Sequence, residues 1–196
     1  MRDYSKLKYL AKKNNGYIFS KDVASHNIPK DYLRYAVNDG VIEKVAHGIY
    51  ILTEEFIDNL YVFQQLNSKI IYSAFTSAYL LDLTTRDSSQ IYASVPKSYN
   101  PHKIKQNGLF IREDTEDYKL GIINIKTSFG NVVRCHDMHR TICDLFSPKY
   151  IGDKFVQIEA LKNYVNSKDK DIAKLMSYAN QLGVVKEIRD KLEVLL

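Results

Sequence analysis

Between Ser5 and Asn14 the apolar Leu7, Leu10 and Ala11 recur on one side while Lys6, Lys8, Lys12 and Lys13 occupy the rest, which predicts an amphipathic helix. Asn15-Gly16 ends it. Tyr17-Ile18-Phe19 is a short apolar strand, and Ser20 is placed as an N-cap for the helix carrying Asp22, Val23 and Ala24. Position 23 is Val, so no full capping box forms. Pro29 suits the start of a third helix, which runs to Asn38-Asp39 and stops at Gly40. On that helix Leu33, Ala36 and Val37 share one face, and Asp31, Arg34, Tyr35 and Asn38 share the other. Residues 41–52 then alternate as two strands around a turn at Ala46-His47-Gly48. Helix, strand, helix, helix and hairpin is the order of a winged helix-turn-helix.

Downstream, Thr53-Glu54-Glu55 caps a predicted helix bearing Phe56, Leu60, Phe63 and Leu66, which closes over the winged helix or links the two halves. A second helix covers about Phe75 to Leu83. Strands follow at Gln90–Val95, Leu109–Arg112, Leu120–Ile125 and Val132–Arg134, with a turn at Phe129-Gly130-Asn131. From Met138 the chain is helical again. Its apolar positions are Phe155, Ile158, Leu161 and Val165, then Ile172, Leu175, Met176, Ala179 and Leu182, then Ile188, Leu192 and Leu195. The expected class is therefore α+β: residues 1–52 a winged helix-turn-helix, and residues 53–196 a mixed α/β domain ending in a helical bundle.

Composition narrows the class without naming a partner. With 45% hydrophobic and 26% charged residues, the chain is neither disordered nor fibrous. No apolar run reaches the roughly 18 residues of a membrane span. The opening Met1-Arg-Asp-Tyr-Ser-Lys leads into a charged helix rather than a signal-peptide core, so a cytoplasmic location is expected. Cys135 and Cys143 are too few for a disulfide framework and too far apart for a CxxC site, and are expected to be reduced and structural.

Charge is more informative by position than by total. Of the net +5, the first 52 residues carry 9 basic and 5 acidic side chains, so +4 sits in about a quarter of the chain. Such a local excess suits a phosphate-binding surface, because neutralised phosphates release counterions. Arg34, Tyr35 and Asn38 are expected at base edges, and Lys21, Lys30, Lys44 and His47 on phosphates, with Ser20 at the same surface. A winged helix that binds protein instead of DNA is the competing reading. Lys97, Lys103 and Lys105 flank Pro101-His102 with no acid between Asp87 and Glu113, and are expected as a secondary nucleic-acid contact.

No catalytic residue, metal or cofactor is expected. The densest chemical cluster is Cys135-His136-Asp137-Met138-His139 with Cys143 and Asp144, but it lacks the paired spacing of zinc ligands. It reads as a strand end, an N-cap at Asp137 and a buried helix face at Ile142, Cys143, Leu145 and Phe146. The glycines form neither a Walker A loop nor GxGxxG, and GxSxG and HExxH are absent. A metal-dependent nuclease delivered by a winged helix is the alternative enzyme class. Asp82, Asp87 and Lys97 sit around a strand, but no second acid near Lys97 completes a two-carboxylate site.

Several stretches together resemble AbiEi-type antitoxins, the regulator halves of type IV abortive-infection toxin–antitoxin systems. They are Tyr17 to Ala24, Ile28 to Leu33, Asp39 to Tyr50 with its wing residues Gly40, Val45, Gly48 and Tyr50, and, further on, Tyr72 to Leu81 and His136 to Leu145. The resemblance implies a repressor of its own operon in phage resistance, acting on inverted repeats in double-stranded promoter DNA. It also implies a C-terminal domain that counteracts a nucleotidyltransferase-like toxin, no membrane association, and a free monomer whose copies pair on DNA. Where many relatives carry Arg before the wing glycine, this sequence has His47, and because histidine is the side-chain type used as a switch in the physiological pH range, a pH-sensitive wing contact is expected. Operator affinity measured between pH 6 and 8 should therefore change; a flat profile removes this role for His47.

Overall fold

The computed structural model describes residues 2–150 and 152–195. The chain divides into two compact units, residues 1–67 with 126–131 and residues 68–125 with 132–196. The division falls after Asn67 rather than after Leu52, and it returns a short segment near residue 130 to the first unit. Among the described residues no helix is long and apolar enough to cross a membrane.

In the first unit, α1 (Ser5–Lys13), β1 (Tyr17–Phe19), α2 (Ser20–Ser25), α3 (Asp31–Asn38), β2 (Ile42–Ala46) and β3 (Ile49–Leu52) follow the expected winged-helix order. The three strands form an antiparallel sheet in the order β1-β3-β2. Leu7, Leu10, Ile18, Val23, Leu33 and Ala36 form a core beneath the helices. Tyr17, Phe19, Ile49 and Ile51 form a second cluster, covered by Val62 of α4 (Asn59–Leu66).

Helix α4 differs from the sequence expectation in both start and face. Residues 53–58 are not helical, and Thr53 Oγ1 instead donates to the Gly40 carbonyl at 2.8 Å. The cap is Asp58, whose Oδ1 accepts from the Tyr61 amide at 3.0 Å. Phe56 is 80% exposed and Leu66 46%, whereas Val62 and Gln64 point inward. Asp58 wins the cap position because its surroundings satisfy it. Oδ2 accepts from Thr127 Oγ1 at 2.6 Å and Asn131 Nδ2 at 2.9 Å, and its own amide donates to Tyr17 Oη at 2.7 Å.

The second unit is built on β4 (Ile71–Tyr72), β5 (Ile91–Pro96), β6 (Gly108–Glu113), β7 (Ile122–Lys126) and β8 (Val132–His136), in the order β6-β5-β4-β8-β7. Strand β4 runs antiparallel to β5 and parallel to β8. The helices are α5 (Ala74–Leu80), α6 (Thr115–Lys119), α7 (Met138–Phe146), α8 (Lys154–Asn166), α9 (Ile172–Leu182) and α10 (Val185–Leu195). Phe75, Ile142, Leu161, Tyr164, Leu175 and Ile188 belong to one shared core. On α8 Leu161 and Val165 are buried as expected, whereas Phe155 and Ile158 are exposed and Val156, Ala160 and Tyr164 take the other inward positions.

Helix α7 is buried nearly along its whole length, charges included. Asp137 caps it by accepting from the Arg140 amide at 2.8 Å. The Arg140 guanidinium, fully buried, donates to Asp144 at 2.8 Å, to Glu113 at 2.6 Å and to the Asp117 carbonyl at 2.7 Å. His136 Nδ1 lies 2.6 Å from the other oxygen of Asp144. Burial alone would raise the Asp144 carboxyl, but His136 and Arg140 outweigh it and hold it below the ordinary carboxylate range. Burial pushes the thiols of Cys135 and Cys143 up to about 12, so both stay protonated. Because Asp144 is depressed in the fold, its contribution is complete above the unfolded value of about 3.9 and is lost as pH falls through the folded one. Asp144→Asn should therefore cost about 3–5 kcal/mol at neutral pH by leaving Arg140 short of a partner. In urea melts the gap to the unmodified protein should narrow below about pH 4.

Candidate nucleic-acid interface

The surface that gathers the predicted contacts is built by three local devices. Helix α3 is closed by Gly40 at φ +70°, with the Gly40 amide on the Val37 carbonyl at 3.1 Å and the Val41 amide on the Ala36 carbonyl at 2.9 Å. This paired closure turns the chain directly into β2. Gly48 at φ +71° makes the wing turn, in the left-handed region that glycine enters without strain. The Ser20 amide then donates to the Gly48 carbonyl at 2.9 Å, so the start of α2 is tied to the wing.

Between α3, the start of α2 and the wing lies an open groove of about 540 Å³. Ser20, Lys30, Arg34, Asn38, Lys44 and His47 line it, together with Leu33, Val37, Gly48 and Tyr50. Six of the eight residues expected at a nucleic-acid surface are thus brought together, with no carboxylate among the lining residues. Lys30, Arg34, Asn38, Lys44 and His47 are exposed. Lys44 stands opposite Tyr50 in the hairpin, and a bulge between Lys44 and Ala46 bends the strand toward the turn. Asp31 lies 3.6 Å from Arg34, but both are exposed, and such a pair contributes little and exchanges readily for phosphate or base.

The other two lie elsewhere. Tyr35 leans on the core of the first unit, with the Arg2 guanidinium 4.0 Å above its ring and that of Arg34 at 5.2 Å. At about 100° per residue it falls beyond Asn38 and away from Lys30, so the polar face splits in two. Lys21 is exposed, its ammonium 5.3 Å over the Phe19 ring, on a helix of only six residues. Ser20 does not cap α2: the flanking position is Phe19, held extended in β1, and no side-chain cap forms. Val37, expected in the core, is 36% exposed and lines the groove. Its wheel position between Leu33 and Lys30 was the available signal.

In the second unit Lys97 pairs with Asp114 at 2.8 Å, a countercharge that sequence distance concealed. Lys103 and Lys105 are exposed on either side of buried Ile104, and Lys105 opens a 3-10 turn, Lys105–Asn107. In the cluster around α7, His136 is engaged with Asp144, and Asp137 with the Arg140 amide and Lys174 at 2.9 Å. Among the described residues no three His, Cys, Asp or Glu side chains converge as a cation site.

Residues 5–53 match the family model described as "Transcriptional regulator, AbiEi antitoxin", a span of about a quarter of the chain from the start of α1 to just past β3. No curated protein matches the chain. That family is regulatory rather than enzymatic. The winged helix-turn-helix segment of this protein is accordingly similar to the transcriptional-regulator family of AbiEi antitoxins.

Proposed function

We propose that the chain is the antitoxin and autorepressor of a type IV abortive-infection operon, binding inverted repeats in its own promoter through the groove between α3 and the wing. The observation that carries this reading is the collection of Lys30, Arg34, Asn38, Lys44 and His47 in one acid-free groove of the segment that matches a regulator family. A recognition helix beside a cationic wing suits a duplex, with the helix in the major groove and the wing on the backbone. Arg34 and Asn38 read base edges, and Lys30, Lys44 and His47 hold phosphates. Tyr35 and Lys21 act outside the groove. Inverted repeats bring two monomers side by side in the cytoplasm, while the second unit counteracts a nucleotidyltransferase-like toxin.

Gel shifts on the DNA upstream of the gene test the assignment. Arg34→Ala should weaken operator binding more than non-specific binding, whereas Lys44→Ala should weaken both and lower the salt slope by about 1. Equal losses from the two variants would reject it. Lys103 and Lys105 offer a secondary nucleic-acid contact, to which Lys97 adds less because Asp114 neutralises it. Reversing both charges, Lys103→Glu with Lys105→Glu, should reduce repression or antitoxicity; unchanged values in both assays dismiss that contact.

A further inference from the structure

Folding alone gives no reason for the residue at position 37. The core of the first unit takes Leu33 and Ala36 from α3 and leaves Val37 out. Valine is among the poorer helix formers, because its branched Cβ is restricted against the preceding turn, and here it is 36% exposed. An exposed helix position with no packing duty favours Ala, Lys or Glu. Val37 instead lines the groove with Leu33 and Tyr50, while Lys30, Arg34, Asn38 and Lys44 supply the polar groups.

A groove lined by apolar side chains together with cations and an amide has a specific counterpart in DNA. The major groove is polar except for the C5-methyl of thymine, which apolar side chains contact. Asn38, the next residue on the same helix, carries the amide that pairs bidentately with adenine N6 and N7. We infer that Val37 is a specificity-determining residue that covers a thymine methyl, so that each half-site holds a thymine next to the adenine read by Asn38. This rests on the proposed DNA-binding role of the groove and adds the base composition it selects.

The test uses the full chain. Duplexes are enriched from a random library by the protein, and the winning duplex is resynthesised with deoxyuridine replacing thymidine one position at a time. Uracil keeps the base pair and the O4 acceptor and removes only the methyl. At one thymine of each half-site the unmodified protein should bind the uracil duplex about three- to five-fold more weakly, the value of one buried methyl. Val37→Ala should show that same loss on the thymine duplex and no further loss on the uracil duplex. Its exposed position and the high helix propensity of alanine keep the fold intact, which circular dichroism verifies. Equal affinity for thymine and uracil at every position, or an undiminished uracil penalty in Val37→Ala, overturns the inference while leaving DNA binding in place. Failure to enrich any duplex overturns the DNA reading and the inference with it.

Discussion

Strand β3 is hydrogen-bonded along both edges, to β1 on one side and β2 on the other, and the geometry of the groove depends on that double pairing. The β1 edge fixes where α2 begins, because β1 runs without a break into Ser20. The β2 edge fixes the wing, with Lys44 opposite Tyr50. Register errors are excluded by burial: Ile49 and Ile51 face a core that a one-residue slip would empty. Helix α3, the start of α2 and the wing are thereby held as one body within the unit.

The winged helix was legible because its signals are local and redundant. Amphipathic spacing, Gly40 after α3, and an alternating hairpin around Gly48 each point to the same element boundaries that appear in the fold. What failed were choices between competing caps and faces. Thr53 and Ser20 carry good capping groups, yet Thr53 Oγ1 donates to the Gly40 carbonyl and Ser20 lies inside α2 with Phe19 at the cap position, and Asp58 caps because distant donors complete it. Val37 and Tyr35 sit at opposite margins of the apolar arc of α3, and the core takes Tyr35 while Val37, next to Lys30 on the wheel, lines the groove.

The second unit was less legible for a different reason. Its central strand β4 is two residues long, too short for any alternation, and α6 is five. Both are set by tertiary neighbours rather than by their own periodicity. The cluster around His136 and Asp144 drew attention as chemistry, and it proves to be a buried ionic frame around Arg140 that joins α7 to β6 and α6. A frame of this kind costs desolvation and contributes specificity only when every carboxylate and guanidinium finds its place.

The segment 126–131 belongs to the first unit although the strands on either side of it belong to the second. The polypeptide thus crosses between units three times, and linear order along the chain does not coincide with the folded modules. A gene fragment ending at residue 67 encodes the family match but omits Thr127 and Asn131, the two side chains that donate to the buried Oδ2 of Asp58. Recombination or truncation at the apparent domain edge would therefore deliver a winged helix with an unmet acceptor in its interior, and the inheritable unit is longer than the recognisable one.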